Sequence, residues 1–387
     1  MKTIGFISEW DVNNPTQRSG VPHHIYKALV QNGYEVKVCF VSKKKRSLFS
    51  KLISKTKNIL YNQWFNQVLG HYYFEYSASY FKLLYQTISS FIKTEKIDVL
   101  LAINSFSFTY SPNFKPTIVW IDNSFFTFFE HNPMPRVNAN NFKRICKNEK
   151  QALHHTSTII CASNWLKSQL IARYNIPEHK IAVVPRGANL TANFSALDMN
   201  KVLTNRLANK IKLVFIGRKW DLKGGDIAFA VCEQLREKGY DIELVVFGKA
   251  TGCPINLNDV AWVTFREKFD LSNEVDLKVV KEELSLARFL VVPSRADGFG
   301  IVFAEAATFG LPSVALDIMG VENAVINDVT GKRFEEKDTI DKMTHYLVKY
   351  FDNEELYRHL CLQCYEYAIA NFDWKKNVKK IIDLCQD

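Results

Sequence analysis

Pro293-Ser294-Arg295-Ala296-Asp297-Gly298-Phe299-Gly300 stands between two apolar runs, Arg288-Phe-Leu-Val-Val-Pro293 before it and Ile301-Val-Phe-Ala-Glu-Ala-Ala-Thr-Phe309 after it. The first run is apolar without alternation, the pattern of a parallel strand buried on both faces. The second is apolar nearly all round, which predicts a core helix. Beyond Gly310-Leu-Pro312, the run Ser313-Val-Ala-Leu reads as another buried strand and completes a strand, loop, helix, strand unit. Gly298 and Gly300 at the turn let backbone N–H groups come close to a ligand just beyond the strand's carboxyl end. The helix dipole favours an anion there.

That apolar helix carries one carboxylate, Glu305. A lone charge in such a helix is costly unless something polar meets it. At the usual rise it lies roughly 6–7 Å from the helix start. A phosphate at the start, with a sugar hydroxyl pair beside Glu305, satisfies both groups; the competing reading is an ion pair with a neighbouring core arginine.

A second signature is Ile211-Lys-Leu-Val-Phe-Ile-Gly217-Arg218, followed by Lys219-Trp-Asp-Leu-Lys223-Gly224-Gly225. The strand delivers Arg218 to its carboxyl edge, and the glycine pair turns the chain into a helix predicted over 226–238. Arg218 and Lys223 would then face one pocket. A planar guanidinium plus a flexible ammonium suits a diphosphate whose charge grows as the bond to its substituent breaks. Two solvated loop cations are the alternative.

Asp297, then seven residues, then Glu305, with Gly298-Phe-Gly300 and Gly310-Leu-Pro312 around them, resembles the E-x7-E signature of retaining glycosyltransferases of family 4. This chain has Asp where that family usually has Glu. The resemblance implies an α/β fold of the GT-B type: two Rossmann-like domains facing each other across a cleft, with a C-terminal helix crossing back to the N-terminal domain. It implies that Asp297 and the amides of Gly298, Phe299 and Gly300 meet the donor sugar, Glu305 the nucleotide ribose, and Arg218 with Lys223 the departing diphosphate. Gly20, in the loop Arg18-Ser19-Gly20, would lie against the donor's phosphates, with a plain turn glycine as the alternative. The loop following the strand at 262–267 would hold the nucleobase, which makes Phe265 and Arg266, at that strand's end, candidates for it. Where the family often has a histidine after a strand of the first domain, the nearest catalytic candidate is Asp122, followed by Asn123, Glu130 and His131; for Asp122 a capping role competes. Arg186, in a segment resembling the family's hydrophobic-Pro-x-Gly-x-Asp/Asn run, reaches phosphate or lines the cleft, and His23 or His24 faces the cleft or caps the first helix.

At the start of the chain, Lys2 to Ser8, the helical spacing of Val21 to Gln31 and the strand from Tyr34 form a βαβ unit. Further strands are predicted at 97–103, 117–122, 157–161 and 181–184. The polar run Leu190 to Lys210 reads as a linker. The domains are then 1–195, acceptor-binding and joined by 370–387, and 205–369, donor-binding. The tail 354–384 reads as helical, with a break at Phe372-Asp-Trp374.

The 387 residues suit two domains with proper cores. The net charge of +10 is uneven: residues 1–200 hold 24 basic against 11 acidic side chains, residues 201–387 hold 26 against 29. The basic half calls for an anionic partner such as a membrane surface, a lipid-linked phosphate or an acidic glycan. Lys43 to Leu60 contains seven basic residues and no acidic one, with Leu48, Phe49, Leu52, Ile53, Ile59 and Leu60 at helical spacing. This is the pattern of an in-plane membrane helix, or of a solvated basic helix. No signal sequence or bilayer-spanning run is evident, so a cytoplasmic protein is expected, peripheral on the inner face of the membrane if 43–60 binds lipid.

The eight cysteines lack a paired framework, and Cys361-x-x-Cys364 has no second pair, so reduced thiols are expected. No metal and no cofactor are expected beyond a UDP- or GDP-linked sugar as co-substrate. Nucleic acid is not an expected partner, because no basic stripe is interleaved with aromatics. The expected function is that of a retaining hexosyltransferase moving a sugar to a hydroxyl of a lipid-linked or cell-surface glycan, as polysaccharide or lipopolysaccharide biosynthesis requires. A nucleotide-sugar epimerase of the same fold, or a non-catalytic subunit binding nucleotide sugar or glycan, are the alternatives.

Overall fold

The computed structural model describes residues 2–41, 71, 73, 76–111, 113–114, 116–131, 137–192, 195–269, 271–337 and 339–385. The basic stretch 43–60 lies outside the described residues. The chain forms two compact units, Met1–Val184 with Val378–Asp387, and Pro185–Asn377.

In the first unit the order is β1 (Thr3–Ser8), α1 (Val21–Gln31), β2 (Glu35–Phe40), α2 (Ala78–Thr94), β3 (Val99–Ala102), β4 (Thr117–Ile121), α3 (Phe125–His131), α4 (Ala139–His155), β5 (Thr158–Cys161), α5 (Asn164–Tyr174) and β6 (Ile181–Val183). The strands form one parallel sheet in the order β2-β1-β3-β4-β5-β6. Strands β1, β3 and β4 are buried along their whole length, which is why they read as unbroken apolar runs.

The second unit begins with α6 (Ala196–Ala208) and β7 (Ile211–Ile216), followed by the single turn α7 (Trp220–Lys223), α8 (Gly225–Glu237), β8 (Ile242–Phe247), β9 (Val263–Arg266), α9 (Glu274–Leu286) and β10 (Phe289–Val291). It continues through α10 (Ile301–Ala307), β11 (Ser313–Leu316), β12 (Gly331–Phe334), α11 (Thr339–Phe351) and α12 (Glu354–Asn371). Helix α13 (Trp374–Asp383) starts in this unit and ends in the first. The parallel sheet β12-β11-β10-β7-β8-β9 has the doubly wound order 3-2-1-4-5-6 when followed from its other edge. The chain winds outward from β7 to β9, then returns to β10 beside β7 and winds the other way.

The run Leu190 to Lys210, expected as a linker, is corrected by α6. Ser195 and Asp198 form a capping box at its start, with the Ser195 hydroxyl accepting from the Asp198 N–H at 3.2 Å. Met199, Leu203 and Arg206 are wholly buried. Arg206 donates to the carbonyls of Ser285 (3.0 Å), Phe309 (3.0 Å) and Gly310 (2.8 Å), at the C-terminal ends of α9 and α10, where helix dipoles are negative. Its charge is met by oriented carbonyls, so one of the residues that make the run look polar packs the helix together with Met199 and Leu203. Strand β12, Gly-Lys-Arg-Phe, looks like no more than a turn in the sequence, because an edge strand of mixed polarity carries no apolar run.

Candidate functional site

In the second unit the winding reverses between β7 and β10, and a doubly wound sheet takes its ligands just beyond the carboxyl ends of the strands at such a point. The loop after β7 carries Arg218 and Lys223; the loop after β10 carries Arg295 to Gly300. Gly224 makes their close approach possible. It sits at φ +72°, and a Cβ there would fall 2.1 Å from the Pro293 carbonyl oxygen. Arg295 ties the loops together: its N–H donates to the Leu222 carbonyl (2.9 Å), and its guanidinium to the Asp221 carbonyl (2.6 Å) and to both oxygens of Asp226 (2.8 and 2.7 Å). The result is an ion pair between Lys223 Nζ and Asp297 Oδ2 at 2.6 Å, with side chains 26% and 15% exposed.

Gly300, at φ +79°, turns the chain into α10. Glu305 follows little more than one turn later, partly exposed, its carboxylate accepting from the backbone N–H groups of Asn189 and Leu190. Burial pushes its pKa up to about 8, against the pull of those two donors. Among the described residues no arginine pairs with it, and Arg206 is spent on carbonyls. The polar partner that a buried carboxylate calls for is thus partly backbone, and a hydroxyl pair remains chemically suited to it.

Arg218 is exposed, and among the described residues no ion pair engages it. Its carbonyl accepts from Thr251 N–H at 2.9 Å, fixing the backbone at the tip of β7. Phe265 and Arg266 end the edge strand β9, separated from β7 by β8 and so roughly 10 Å along the sheet from β7. Among the described residues no group of three His, Cys, Asp or Glu side chains is placed to hold a metal ion.

In the first unit the winding reverses between β1 and β3. Arg18, Ser19 and Gly20 all have positive φ (49°, 53° and 73°), a left-handed turn that leads into α1. Arg18 lies over the Trp10 ring (5.4 Å) and 3.8 Å from Asp122, directly after β4, so the structure brings two candidate segments together. Glu9 accepts from Asn104 Nδ2 (3.0 Å) and from the Tyr80 hydroxyl at the same edge. His23 Nδ1 meets the Val12 carbonyl at 3.0 Å, a loop-closing contact. Burial, then His23 and Lys27, lower His24 to about 4, leaving it neutral near pH 7.

Sequence reasoning misses Glu9, Tyr80, Asn104 and Glu149. Glu149 is fully buried and accepts from Ser105 Oγ (2.5 Å), Phe125 N–H (2.7 Å) and the Tyr174 hydroxyl (2.7 Å), joining the loop after β3 to the start of α3. Its one signal is its place on the apolar face of α4 with Ile145, Ala152 and Leu153.

Two family models cover most of the chain: one described as Glycosyltransferase Family 4 matches residues 21–192, and one described as Glycosyl transferases group 1 matches residues 210–353. The chain belongs to glycosyltransferase family 4. Relatives of this family 4 chain include a D-inositol 3-phosphate glycosyltransferase of Corynebacterium diphtheriae, 25% identical over 252 residues, 62% of this chain and 57% of the relative. The capsular polysaccharide biosynthesis glycosyltransferase CapM of Staphylococcus aureus is 28% identical over 199 residues, 49% of this chain and 51% of the relative. The chain spans about half the length of the curated relatives it matches.

Among solved structures, sucrose-phosphate synthase of Thermosynechococcus elongatus has a TM-score of 0.67 at 15% identity, over 99% of this chain and 98% of that one. The lipopolysaccharide outer core galactosyltransferase WaaB has a TM-score of 0.63 at 14% identity, over 98% and 99%. Anabaena HepE, crystallised with UDP and glucose, has a TM-score of 0.61 at 15% identity, over 99% of both chains. At these identities the likeness shows the fold, which is that of the GT-B glycosyltransferases. Asp297 is the departure of this family 4 chain from the family's usual signature, and it is also the partner of Lys223.

Proposed function

We propose that the protein is a retaining glycosyltransferase that moves a hexose or amino-hexose from a UDP- or GDP-linked sugar to a hydroxyl of a lipid-linked or cell-surface glycan. The observation that carries this is the meeting of Lys223 with Asp297 at the β7/β10 reversal, on loops fixed by Arg295, with Glu305 one turn into the helix that follows. The second unit holds the donor. Lys223 and Arg218 face the diphosphate, Glu305 the ribose, and Asp297 with the amides of Gly298, Phe299 and Gly300 the sugar. As the bond from the anomeric carbon to the diphosphate oxygen breaks, its electron pair passes to the diphosphate, whose growing charge the two cations meet. The acceptor oxygen attacks from the same face and its proton passes to the departing oxygen. No metal is needed for that balance.

The first unit, with the basic half of the sequence and the Arg18 and Asp122 pair, is assigned the acceptor. Relatives named for inositol phosphate and capsular polysaccharide support a hydroxyl-rich, anionic acceptor. Among the described residues no helix is long and apolar enough to cross a membrane. A cytoplasmic protein, held at the inner membrane face through the basic segment, fits a lipid-linked acceptor.

The test is incubation with a panel of UDP- and GDP-sugars, with and without lipid-linked and soluble glycan acceptors, followed by mass spectrometry and NMR of the new anomeric centre. Product with the donor's own anomeric configuration is expected. An inverted product would overturn retention. Conversion of a donor to its isomer without acceptor would mark an epimerase, and binding without turnover a non-catalytic subunit.

A further inference from the structure

The Lys223 and Asp297 pair has a property that the role of either residue in donor binding does not require. Lys223 is half-sheltered and already holds a carboxylate oxygen at 2.6 Å, while Arg218, on the same loop, is exposed and makes no ion pair among the described residues. An ammonium so engaged offers a diphosphate only part of its charge, and shelter from water keeps that discount from being screened away.

Asp297 is also poorly able to move aside. Its neighbours Ala296 and Phe299 are buried, its carbonyl accepts from Gly320 N–H at 3.4 Å, and the loop before it is pinned by Arg295 to Asp226. With a short side chain on a fixed backbone, the carboxylate stays where it is. The flexible lysine must share itself between carboxylate and phosphate.

We propose that Asp297 is a positioning residue acting through Lys223, which loosens the enzyme's hold on the nucleoside diphosphate product and so promotes its release. The proposal rests on the second unit binding a nucleoside diphosphate sugar. Such a sugar ester carries about two negative charges, whereas the free diphosphate carries close to three at neutral pH, since a terminal phosphate loses its second proton near pH 6. A carboxylate that offsets Lys223 therefore weakens binding of the product more than binding of the donor.

The experiment is titration calorimetry of UDP, GDP and their sugar esters against wild type, Asp297→Asn, Lys223→Gln and the double variant. Asp297→Asn is expected to bind the free diphosphate roughly tenfold tighter than wild type, with a smaller gain for the sugar ester. In the Lys223→Gln background the gain should vanish. Under turnover, Asp297→Asn should show stronger inhibition by the diphosphate product. A damaged fold does not gain affinity, so tighter binding separates this role from a structural one. Equal or weaker diphosphate binding by Asp297→Asn overturns the proposal while leaving the transferase reading standing. A gain that persists without Lys223 shows direct repulsion of the ligand and overturns it as well. Wild type that binds no nucleoside diphosphate removes the transferase reading itself, and the proposal with it.

Discussion

Replacing Glu305 by Gln should make the protein more stable at alkaline pH and leave its stability at acid pH nearly unchanged. Burial raises the Glu305 pKa from its ordinary value of 4.5 to about 8 in the folded chain. Between those values the folded state keeps a proton that the unfolded state has released, so wild-type stability falls as pH rises through the window. Each tenfold change in proton affinity corresponds to about 1.4 kcal/mol, and the full difference would approach about 5 kcal/mol. The side chain's residual exposure screens part of this, leaving about 2–4 kcal/mol to be measured. Gln is neutral throughout, and its oxygen can still accept from Asn189 and Leu190. Urea unfolding of the two proteins at about pH 5.5, 7 and 8.5 reads the difference directly, because other titrating groups cancel. Curves that stay parallel, or a wild type that gains on the variant as pH rises, would show that the two backbone donors hold Glu305 ionised and that its carboxylate carries no strain in the folded chain. The same substitution should lower nucleotide affinity, placing Glu305 among residues that trade stability for function.

Arg206→Met should destabilise the second unit by about 3–5 kcal/mol, because it strips the carbonyls at the ends of α9 and α10 of their buried donor; an unchanged melting curve would contradict that account. Gly224→Ala should cost about 1–3 kcal/mol and weaken UDP or GDP binding together, since φ +72° and the Pro293 carbonyl leave no place for a methyl group; retention of both stability and binding would mean the two loops do not need that close approach. Anionic liposomes should sediment the wild-type protein, and changing Lys43, Lys44, Lys45 and Arg46 to Ser should abolish this. Unchanged sedimentation removes the membrane role of 43–60.

The two parallel sheets and most strand positions are legible in the sequence because strands buried on both faces are written as unbroken apolar runs. The β7 and β10 loops are legible because their glycines, and the basic and acidic residues beside them, are close in sequence to those strands. Sheet order is a different matter. That β10 returns to lie beside β7, so that Lys223 meets Asp297 across 74 positions of sequence, follows from the winding of the unit and is not written in either loop.

Buried charges divide along the same line. Glu305 announces itself because every neighbour in its helix is apolar. Arg206 and Glu149 are buried more completely than Glu305, yet they sit in α6 and α4 among Asn, Lys and Gln residues, where one more charge does not stand out by composition. Their partners, carbonyls at two helix ends for Arg206 and the donors Ser105, Phe125 N–H and Tyr174 for Glu149, come from elements far apart in the chain. A charge in a mixed helix can therefore be assigned only by testing whether it shares a face with the apolar positions. Glu149 passes that test, four residues from Ile145 and four from Leu153. Arg206, seven residues from Met199 and three from Leu203, passes it too, and applying it there reveals the helix in the supposed linker.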